Sequence, residues 1–326
     1  MVRVTRRSVA PLALTTVLVA VIVASTQAQT TTSEPRQEPS ITFKSSVEVV
    51  TVTAAVRDRK GRIVKDLKST DFEVIDAGAA RELRDFYSGE APISLAVLLD
   101  ISGSMAVGGN MDRARHAVTL ATTMLNGAED EAALYTFDSK LEEVVPFTRD
   151  VDKIRRVSLQ GRPWGMTSLY DAVAAAAQSV AERSNRHRAL LVITDGVDTG
   201  SRLRAPEVSG IASSIDVPVY LLTVVTPLDH PGGEYAVLAA DGSAAETATL
   251  ADLARWTGGT MKIASVPAHS LEAIRDLFAE LRYQYVITFE PGARSGWHPL
   301  EVRTRNKNLT VSARSGYMAG QAGSDD

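Results

Sequence analysis

Hydrophobic and polar side chains alternate along the first patterned stretch of the chain. The alternation runs through residues 50–56, returns at Phe72 and Val74, and continues at Leu83 and Phe86, with turn-forming residues between these segments. A period of two residues is typical of a strand with one buried face. The stretch therefore predicts three short β-strands.

The pattern changes at Ala91, where short apolar runs begin to alternate with helical periods. The apolar runs predict strands at 94–99, 132–137, 143–147, 189–194, 217–225 and 260–264. The helical periods lie at 111–125, 168–183, 206–215, 249–256 and 270–281. Apolar strands separated by helices predict a mostly parallel sheet that is covered on both faces. The run 143–147 is more polar and contains Pro146, so we predict an edge strand there.

Alternation returns after the last predicted helix. The residues expected to share one face are Tyr283, Tyr285, Ile287, Phe289, Leu300, Val302, Leu309 and Val311. Neither flank has enough strands for a stable sheet domain of its own. We therefore predict a small β-sandwich built from residues 42–90 and 283–318. A Rossmann-like, doubly wound α/β domain, residues 91–282, is inserted into it.

The first 28 residues are predicted to be a signal peptide outside the fold. Three arginines precede an apolar stretch at 9–24, and small and polar residues follow. That stretch is shorter than the ~20 residues of a membrane span, which favours cleavage over an uncleaved anchor. Residues 29–41 predict a disordered spacer, and 319–326 a tail. We expect an exported protein, either periplasmic, on the cell surface or secreted, with membrane contact only through an uncleaved signal segment.

Composition narrows the chemistry further. The chain has 326 residues, a length that predicts one or two domains of ~150 residues. Hydrophobic residues make up 44% of it, which is enough for a buried core. The net charge of −4 and the lack of a broad basic patch argue against a nucleic-acid partner. The absence of cysteine excludes disulfides, thiolate metal sites and cysteine nucleophiles. No glycine-rich phosphate-binding motif is present, so no nucleotide is expected.

Two carboxylates are predicted to meet at one edge of the α/β sheet. Asp100 ends the first predicted strand of that domain, and Asp195 follows the fourth. In a doubly wound sheet of order 3-2-1-4-5-6, the first and fourth strands are neighbours, and ligands bind in the crevice at their carboxyl ends. Two close carboxylates repel each other unless a cation or a proton lies between them.

Hydroxyl groups accompany these carboxylates. Ser102 and Ser104 follow Asp100 at alternate positions, and Thr167 precedes a predicted helix. Hard oxygen ligands without imidazole or thiolate suit Mg²⁺ or Mn²⁺, are compatible with Ca²⁺, and do not suit Zn²⁺ or Cu²⁺. They would leave the ion able to take one more anionic oxygen, such as the carboxylate of a partner's Asp or Glu. The predicted metal site consists of Asp100, Ser102, Ser104, Thr167 and Asp195.

The spacing Asp100-x-Ser102-x-Ser104, followed by Thr167 and Asp195, resembles the metal-ion-dependent adhesion site of von Willebrand factor type A domains. Integrin inserted domains share that site. The resemblance implies that the three hydroxyls contact the ion and that the two carboxylates hold it directly or through water. Runs similar to bacterial members of the family lie at 167–172, 193–196 and 253–259. Runs at 71–74 and 314–317 resemble a VWFA-related family described from Acidobacteria.

These features together imply a protein-binding or adhesion module rather than an enzyme, in which Mg²⁺ bridges to an acidic side chain of a protein partner. Two other classes stay open. One is a structural or assembly factor of the cell envelope whose metal site is not used for adhesion, and the other is a metal-dependent hydrolase. A serine nucleophile needs a base. None of the five histidines follows a predicted buried strand at its carboxyl end: His116, His187, His230, His269 and His298.

Four further features concern the surroundings of the site. We interpret Asp198 as a cap of the next loop or helix, and Ser168 with Asp171 as a capping box. The loop at 227–248 follows the fifth strand and is either a segment that shapes partner choice or a plain solvated loop. The apolar stripe of the helix at 270–281 predicts packing on the sheet. The resemblance to integrin inserted domains also implies that this last helix shifts when the metal site binds ligand. Because the helix runs straight into the C-terminal strands, we hypothesise that ligand at the ion changes the angle between the domains.

Overall fold

The structure is a computed structural model that describes residues 49–159, 161–228 and 249–320. Several predicted segments lie wholly or partly outside these residues: the signal peptide (1–28), the spacer (29–41), the start of the sandwich (42–48), most of the loop at 227–248 and the end of the tail (321–326). Within the described ranges, no helix has both the length and the apolar character needed to cross a membrane.

The described elements include each predicted strand and helix, and also two short strands and a short helix that were not predicted. The strands are β1 (Val50–Arg57), β2 (Phe72–Asp76), β3 (Ala79–Arg81), β4 (Leu83–Tyr87), β5 (Ile93–Asp100), β6 (Glu131–Phe137), β7 (Leu141–Thr148), β8 (His187–Thr194), β9 (Val219–Val224), β10 (Met261–Ala264), β11 (Tyr285–Phe289), β12 (Gly296–Thr304), β13 (Thr310–Ala313) and β14 (Gly316–Ala319). The helices are α1 (Asn110–Thr123), α2 (Asp152–Arg155), α3 (Leu169–Ala181), α4 (Ala205–Ser214), α5 (Leu250–Thr257) and α6 (Pro267–Arg282).

The central sheet has six strands in the order β10-β9-β8-β5-β6-β7. Neighbouring strands are parallel except for β6 and β7, which are antiparallel. Counted from β5 as the first strand, this is the predicted order 3-2-1-4-5-6, with β7 at the predicted edge. β5 is buried at all eight positions, as expected for an apolar strand covered on both faces.

Helices cover both faces of the central sheet. On one face, Leu95 and Val97 of β5 belong to the same apolar cluster as Ile274 and Phe278 of α6, and α1 packs beside them. On the other face, Leu98 of β5 belongs to a second cluster with side chains of α3, α4 and α5. Alternate side chains of β5 therefore enter two separate cores.

The flanking strands form two antiparallel sheets, β13-β1-β11-β4 and β14-β12-β2-β3. Val52 of β1 pairs with Ile287 of β11, and Val74 of β2 pairs with Val302 of β12. Strands from both ends of the described chain thus share one core, and the predicted α/β fold inserted into a β-sandwich is confirmed. The described residues belong to one compact unit, and the exact domain boundaries within it stay a prediction.

Several element boundaries differ from the expected ones. Tyr283 does not share a strand with Tyr285, because α6 continues to Arg282 and Tyr283 is its C-terminal cap. Leu309 lies just before β13. α6 begins at Pro267, three residues earlier than predicted, since proline fits the first turn of a helix.

Buried ion pairs join the sandwich to the α/β part. The Glu280 carboxylate of α6 is fully buried and accepts hydrogen bonds from Arg57 Nη2 of β1 at 2.7 Å and from the Tyr220 hydroxyl of β9 at 2.8 Å. Between β13 and β14, buried Arg314 lies 3.5 Å from the carboxylate of Asp216. α6 is therefore fixed to both parts close to the point where it leads into β11.

Candidate metal centre

The order of the central sheet brings Asp100 and Asp195 to the same edge. Asp100 is the last residue of β5, and Asp195 directly follows the last residue of β8. The two strands are parallel neighbours, with Leu99 of β5 paired to Ile193 of β8. The negative charge of Asp195 contributes to raising the pKa of Asp100, as expected for neighbouring carboxylates.

The Asp100 carboxylate is completely buried and held on both oxygens. Oδ1 accepts a hydrogen bond from the Ser102 amide at 2.8 Å, and Oδ2 accepts one from the Thr194 hydroxyl at 2.6 Å. Burial raises the pKa of Asp100, these hydrogen bonds act to lower it, and the charge of Asp195 raises it further. The net pKa lies above the ordinary value. A nearby positive charge would offset this destabilisation of the carboxylate.

The two predicted serine ligands lie together in a tight turn after β5. The Ser102 and Ser104 hydroxyl oxygens are 3.1 Å apart, and Ser102 is fully buried. The chain makes a single 3₁₀ turn at Gly103–Ala106. The Gly103 amide donates to the Gly165 carbonyl at 3.0 Å. That hydrogen bond joins this turn to the loop that carries Thr167.

Thr167 is buried and fixed through its backbone to the loop after Asp195. Its amide donates to the Thr199 hydroxyl at 3.0 Å, and its carbonyl accepts from the amides of Thr199 and Gly200, both at 2.9 Å. The three loops that carry the five predicted ligands are therefore hydrogen-bonded to one another at this edge of the sheet.

Asp195 carries the least satisfied polar atom of the site. Its Oδ1 is buried and has no hydrogen-bond partner among the described residues. A buried carboxylate oxygen without a partner is costly, and here it lies near a second negative charge. A hard divalent cation would supply the missing interaction, and the oxygen donors around it fit such an ion.

Clusters of the usual metal-binding residue types do not mark this site. Over the described part of the chain, no group of three or more His, Cys, Asp or Glu side chains could hold a metal ion. A cation bound here would depend on hydroxyl oxygens as well as on the two carboxylates.

Asp198, in the same loop as Asp195, is a capping residue. Its Oδ2 accepts hydrogen bonds from the amides of Leu169 and Tyr170, at 2.9 and 3.2 Å, in the first turn of α3. Its Oδ1 accepts one from the Ser201 amide at 3.1 Å. Asp198 therefore caps the following loop, as expected, and also α3, which precedes it in the chain.

The predicted capping box of Ser168 and Asp171 is wrong. Ser168 is the N-cap residue of α3, but its side chain makes no capping hydrogen bond. The Asp171 carboxylate instead accepts from the amides of Arg202 and Leu203, at 3.1 and 3.0 Å. Asp198 already satisfies the helix N-terminus, so the carboxylate of Asp171 is available to hold the next loop.

A buried histidine–aspartate pair lies in the sandwich and was not predicted. His298 Nδ1 is 2.6 Å from Asp76 Oδ1, and its Nε2 is 2.6 Å from the Arg294 carbonyl oxygen. Burial acts to raise the pKa of Asp76, but hydrogen bonds, led by that of His298, hold it below its usual value. Both residues are fully buried, so the pair stabilises the sandwich and has no access to a substrate. They are 222 residues apart in sequence, which explains why no local pattern indicated the pair.

A surface groove of about 600 Å³ also lies in the sandwich, between β2, β3 and β4. Four arginines line it, and each forms an ion pair with an acidic side chain: Arg81, Arg84, Arg303 and Arg305. Because these charges are already paired, the groove is a weaker candidate for a ligand site than the edge of the central sheet.

The family described as von Willebrand factor type A domain matches residues 95–197. This segment begins in β5 and ends two residues after Asp195. It includes all five predicted ligands: Asp100, Ser102, Ser104, Thr167 and Asp195. The sandwich strands lie outside the match. No curated protein matches the chain by sequence.

Solved structures of low sequence identity are similar to parts of this chain. An aerotolerance-related membrane protein from Bacteroides fragilis is 20% identical, with 58% of this chain and 98% of that chain covered and a TM-score of 0.43. A von Willebrand factor type A protein from Catenulispora acidiphila is 14% identical, with 76% and 74% covered and a TM-score of 0.45. The PilB minor pilin from Streptococcus sanguinis is 14% identical, with 60% and 62% covered and a TM-score of 0.43. All three TM-scores are below 0.5. Residues 95–197 are therefore identified as similar to von Willebrand factor type A domains from the family match alone.

Proposed function

We propose that this chain is an exported protein-binding module that binds an acidic side chain of a partner through Mg²⁺. Asp100, Ser102, Ser104, Thr167 and Asp195 would hold the ion, and Mn²⁺ or Ca²⁺ could replace it. The observation that carries the proposal is the buried Oδ1 of Asp195, which has no partner among the described residues and lies near the charge of Asp100.

The ion and the chain would have separate tasks. When bound, the ion supplies a positive charge and a coordination position for one anionic oxygen. Asp100 is oriented by its hydrogen bonds from Ser102 and Thr194, which hold the carboxylate in place before any ligand arrives. The hydroxyls of Ser102 and Ser104 add neutral oxygens, so the ion keeps enough positive charge to attract a carboxylate from a partner.

The surroundings of the serines favour binding over catalysis. Among the described residues, neither Ser102 nor Ser104 has a hydrogen bond to a histidine, and their oxygens face each other at 3.1 Å. A serine nucleophile requires a base within hydrogen-bond reach. Both hydroxyls therefore suit the role of neutral ligand better than that of nucleophile.

The narrower parts of the proposal rest on the sequence. Residues 1–28 begin with positive charges, continue with an apolar stretch and end with small and polar residues, and this order supports export. The likeness of residues 71–74 and 314–317 to the VWFA-related family described from Acidobacteria stays a prediction.

The proposed ion site can be tested with two variants of one loop. We expect Mg²⁺ to raise the unfolding temperature of the wild-type protein, because an ion bound only to the folded state stabilises it. Asp195→Asn should abolish that rise. Asp198→Asn is the matched control and should keep it, because an asparagine oxygen can still cap α3. Differential scanning calorimetry with Mg²⁺ and with EDTA measures both, and an equal rise in Asp195→Asn would contradict the site.

Partner binding requires a second experiment. The immobilised protein should retain envelope proteins in Mg²⁺ and release them in EDTA, and Asp100→Ala should retain none of them. Mg²⁺ binding combined with partner retention that is unchanged by EDTA would favour the alternative, a structural or assembly factor whose metal site is not used for adhesion.

A further inference from the structure

Large apolar side chains are exposed around the candidate metal centre. Val107, Trp164, Met166 and Val197, together called the apolar rim, are each more than half exposed, and Trp164 is 82% exposed. Each lies within three residues in sequence of a predicted ligand. Elsewhere in the described ranges, the exposed large apolar side chains are Val49, Leu228, Trp297 and Met318. Among the described residues, four of the eight exposed large apolar side chains therefore lie in the loops of one site.

The rim is carried by loops that are fixed to one another. The Trp164 amide donates to the Ile101 carbonyl at 2.9 Å, which joins the loop before Thr167 to the chain directly after β5. Met166 packs so closely on the loop after Asp195 that a Cβ added to Gly200 would lie 3.0 Å from its Cε. These contacts place Trp164 and Met166 on the same edge of the sheet as the predicted ligands.

Exposed apolar groups of this kind are typical of binding surfaces. A contiguous apolar patch is costly in water, and large patches on soluble proteins mark interaction sites. Tryptophan is enriched among the residues that dominate binding energy at protein interfaces. Trp164 and Met166, on either side of Gly165, would flank a ligand that coordinates an ion near Thr167.

Charge indicates which kind of segment would bind. A bound Mg²⁺ would compensate the charges of Asp100 and Asp195. Arg162 is exposed, lies two residues from Trp164, and has no ion pair among the described residues. The Asp138 carboxylate lies beside Gly165, 3.4 Å from where a Cβ on that glycine would be, and offsets the charge of Arg162. A preference for an acidic ligand over a basic one would therefore come from the bound ion.

We propose that the apolar rim contacts the residues next to the coordinating carboxylate. The partner is thus a protein segment in which a bulky apolar side chain directly neighbours the Asp or Glu. This inference rests on the proposed function, because it describes the partner of that same site.

Two short peptides test the inference. Acetyl-Gly-Phe-Asp-Leu-Gly-amide carries apolar neighbours, and acetyl-Gly-Gly-Asp-Gly-Gly-amide does not. Isothermal titration in Mg²⁺ should give about tenfold tighter binding of the first, as expected for burial of one large apolar side chain. Trp164→Ala and Met166→Ala should reduce that preference at least severalfold. Met318→Ala, an exposed methionine of the sandwich, is the matched control and should leave the preference unchanged. Retention of the Mg²⁺-dependent rise in unfolding temperature shows that each rim variant keeps a folded site.

The outcomes separate the two proposals. Equal Mg²⁺-dependent binding of both peptides, or a preference that survives loss of Trp164 and Met166, overturns the role of the rim and leaves the metal-bridged function standing. Mg²⁺-dependent binding of neither peptide overturns the rim together with the carboxylate ligand.

Discussion

Asp195 and Asp198 are three residues apart in one loop, yet their carboxylates have opposite surroundings. Asp198 accepts hydrogen bonds from Leu169, Tyr170 and Ser201, so its charge is satisfied by amides and hydroxyls. Asp195 has a buried oxygen with no such partner among the described residues. The hydrogen-bond partners, and not the residue type, separate a structural carboxylate from a candidate ligand.

Replacing Asp198 should therefore affect stability and not the ion. We expect Asp198→Ala to lower the free energy of unfolding by about 1–2 kcal/mol, because the first turn of α3 loses its capping acceptor. The Mg²⁺-dependent rise in unfolding temperature should persist. Urea unfolding and calorimetry measure the two effects. Asp252→Ala, which removes the capping partner of Thr249 at the start of α5, provides a comparison cap outside the site. Full stability in Asp198→Ala would contradict the capping role.

His187, the first residue of β8, is a buried group that titrates between acidic and neutral pH. Burial lowers its pKa to about 4, and the charges of Arg186 and Arg282 act in the same direction. The folded protein therefore keeps this imidazole neutral at pH values where an unfolded histidine is protonated.

This difference predicts a loss of stability in acid. As the pH falls from about 6.5 to about 4, the unfolded chain takes up a proton at His187 that the folded chain does not bind. The free energy of unfolding should drop by about 3 kcal/mol over that window, and there is no contribution above it. Urea unfolding near pH 7 and near pH 5 should show a smaller drop in His187→Gln than in wild type. His116→Gln, on the exposed face of α1, should behave as wild type, and an unchanged pH dependence in His187→Gln would exclude this explanation.

At the scale of elements, α6 connects the two parts of the chain. Its apolar face packs on the central sheet, and Glu280 near its end binds Arg57 of β1 and Tyr220 of β9. Any shift of α6 that follows ligand binding would have to carry or break these contacts. The hypothesis that the metal site controls the angle between the domains therefore depends on how strongly Glu280 binds Arg57 and Tyr220.

Removing Glu280 should be costly. Glu280→Ala leaves the partly buried Arg57 charge and the buried Tyr220 hydroxyl without their shared acceptor, and we expect a loss of about 3 kcal/mol in unfolding free energy. The pair of Arg115 and Asp112 on α1 is a suitable control, because Asp112 is largely exposed. Asp112→Ala should have no measurable effect in the same denaturation experiment. Similar stability of the two variants would show that the buried pair does not hold α6.

At the scale of the whole molecule, the sequence predicts the central sheet well, since long apolar runs such as β5 and β8 allow few alternatives. It does not predict β3, α2 or β14, because segments of three or four residues show a period only weakly. β10 is as short and was predicted, because it follows the pattern of strands alternating with helices. Pairing of the two flanks could be inferred only because neither could form a stable sheet alone. The buried contact of Asp76 with His298 joins distant segments and leaves no local pattern.

The position of the candidate site in the fold could be predicted from the sequence. Strand order alone places Asp100 and Asp195 at one edge, and the structure has that order. Which carboxylate oxygens are satisfied depends on the surrounding loops, as Asp171 and Asp198 show. The sequence pattern therefore identifies which residues lie near the site. Only the folded structure distinguishes candidate ligands from residues that hold the loops.

The interleaved sandwich also has a consequence for the order in which the chain acquires its structure. Val50 of β1 pairs with Phe289 of β11, roughly 240 residues later, so this contact closes one of the longest loops of the chain. The six strands of the central sheet are all synthesised before β11. We expect the central sheet to form first, while β1 and β4, whose described sheet neighbours are β11 and β13, wait as unpaired, aggregation-prone strands. A chain that ends before β11 would never bury them, so completion of the sandwich is the last step that protects the newly made protein.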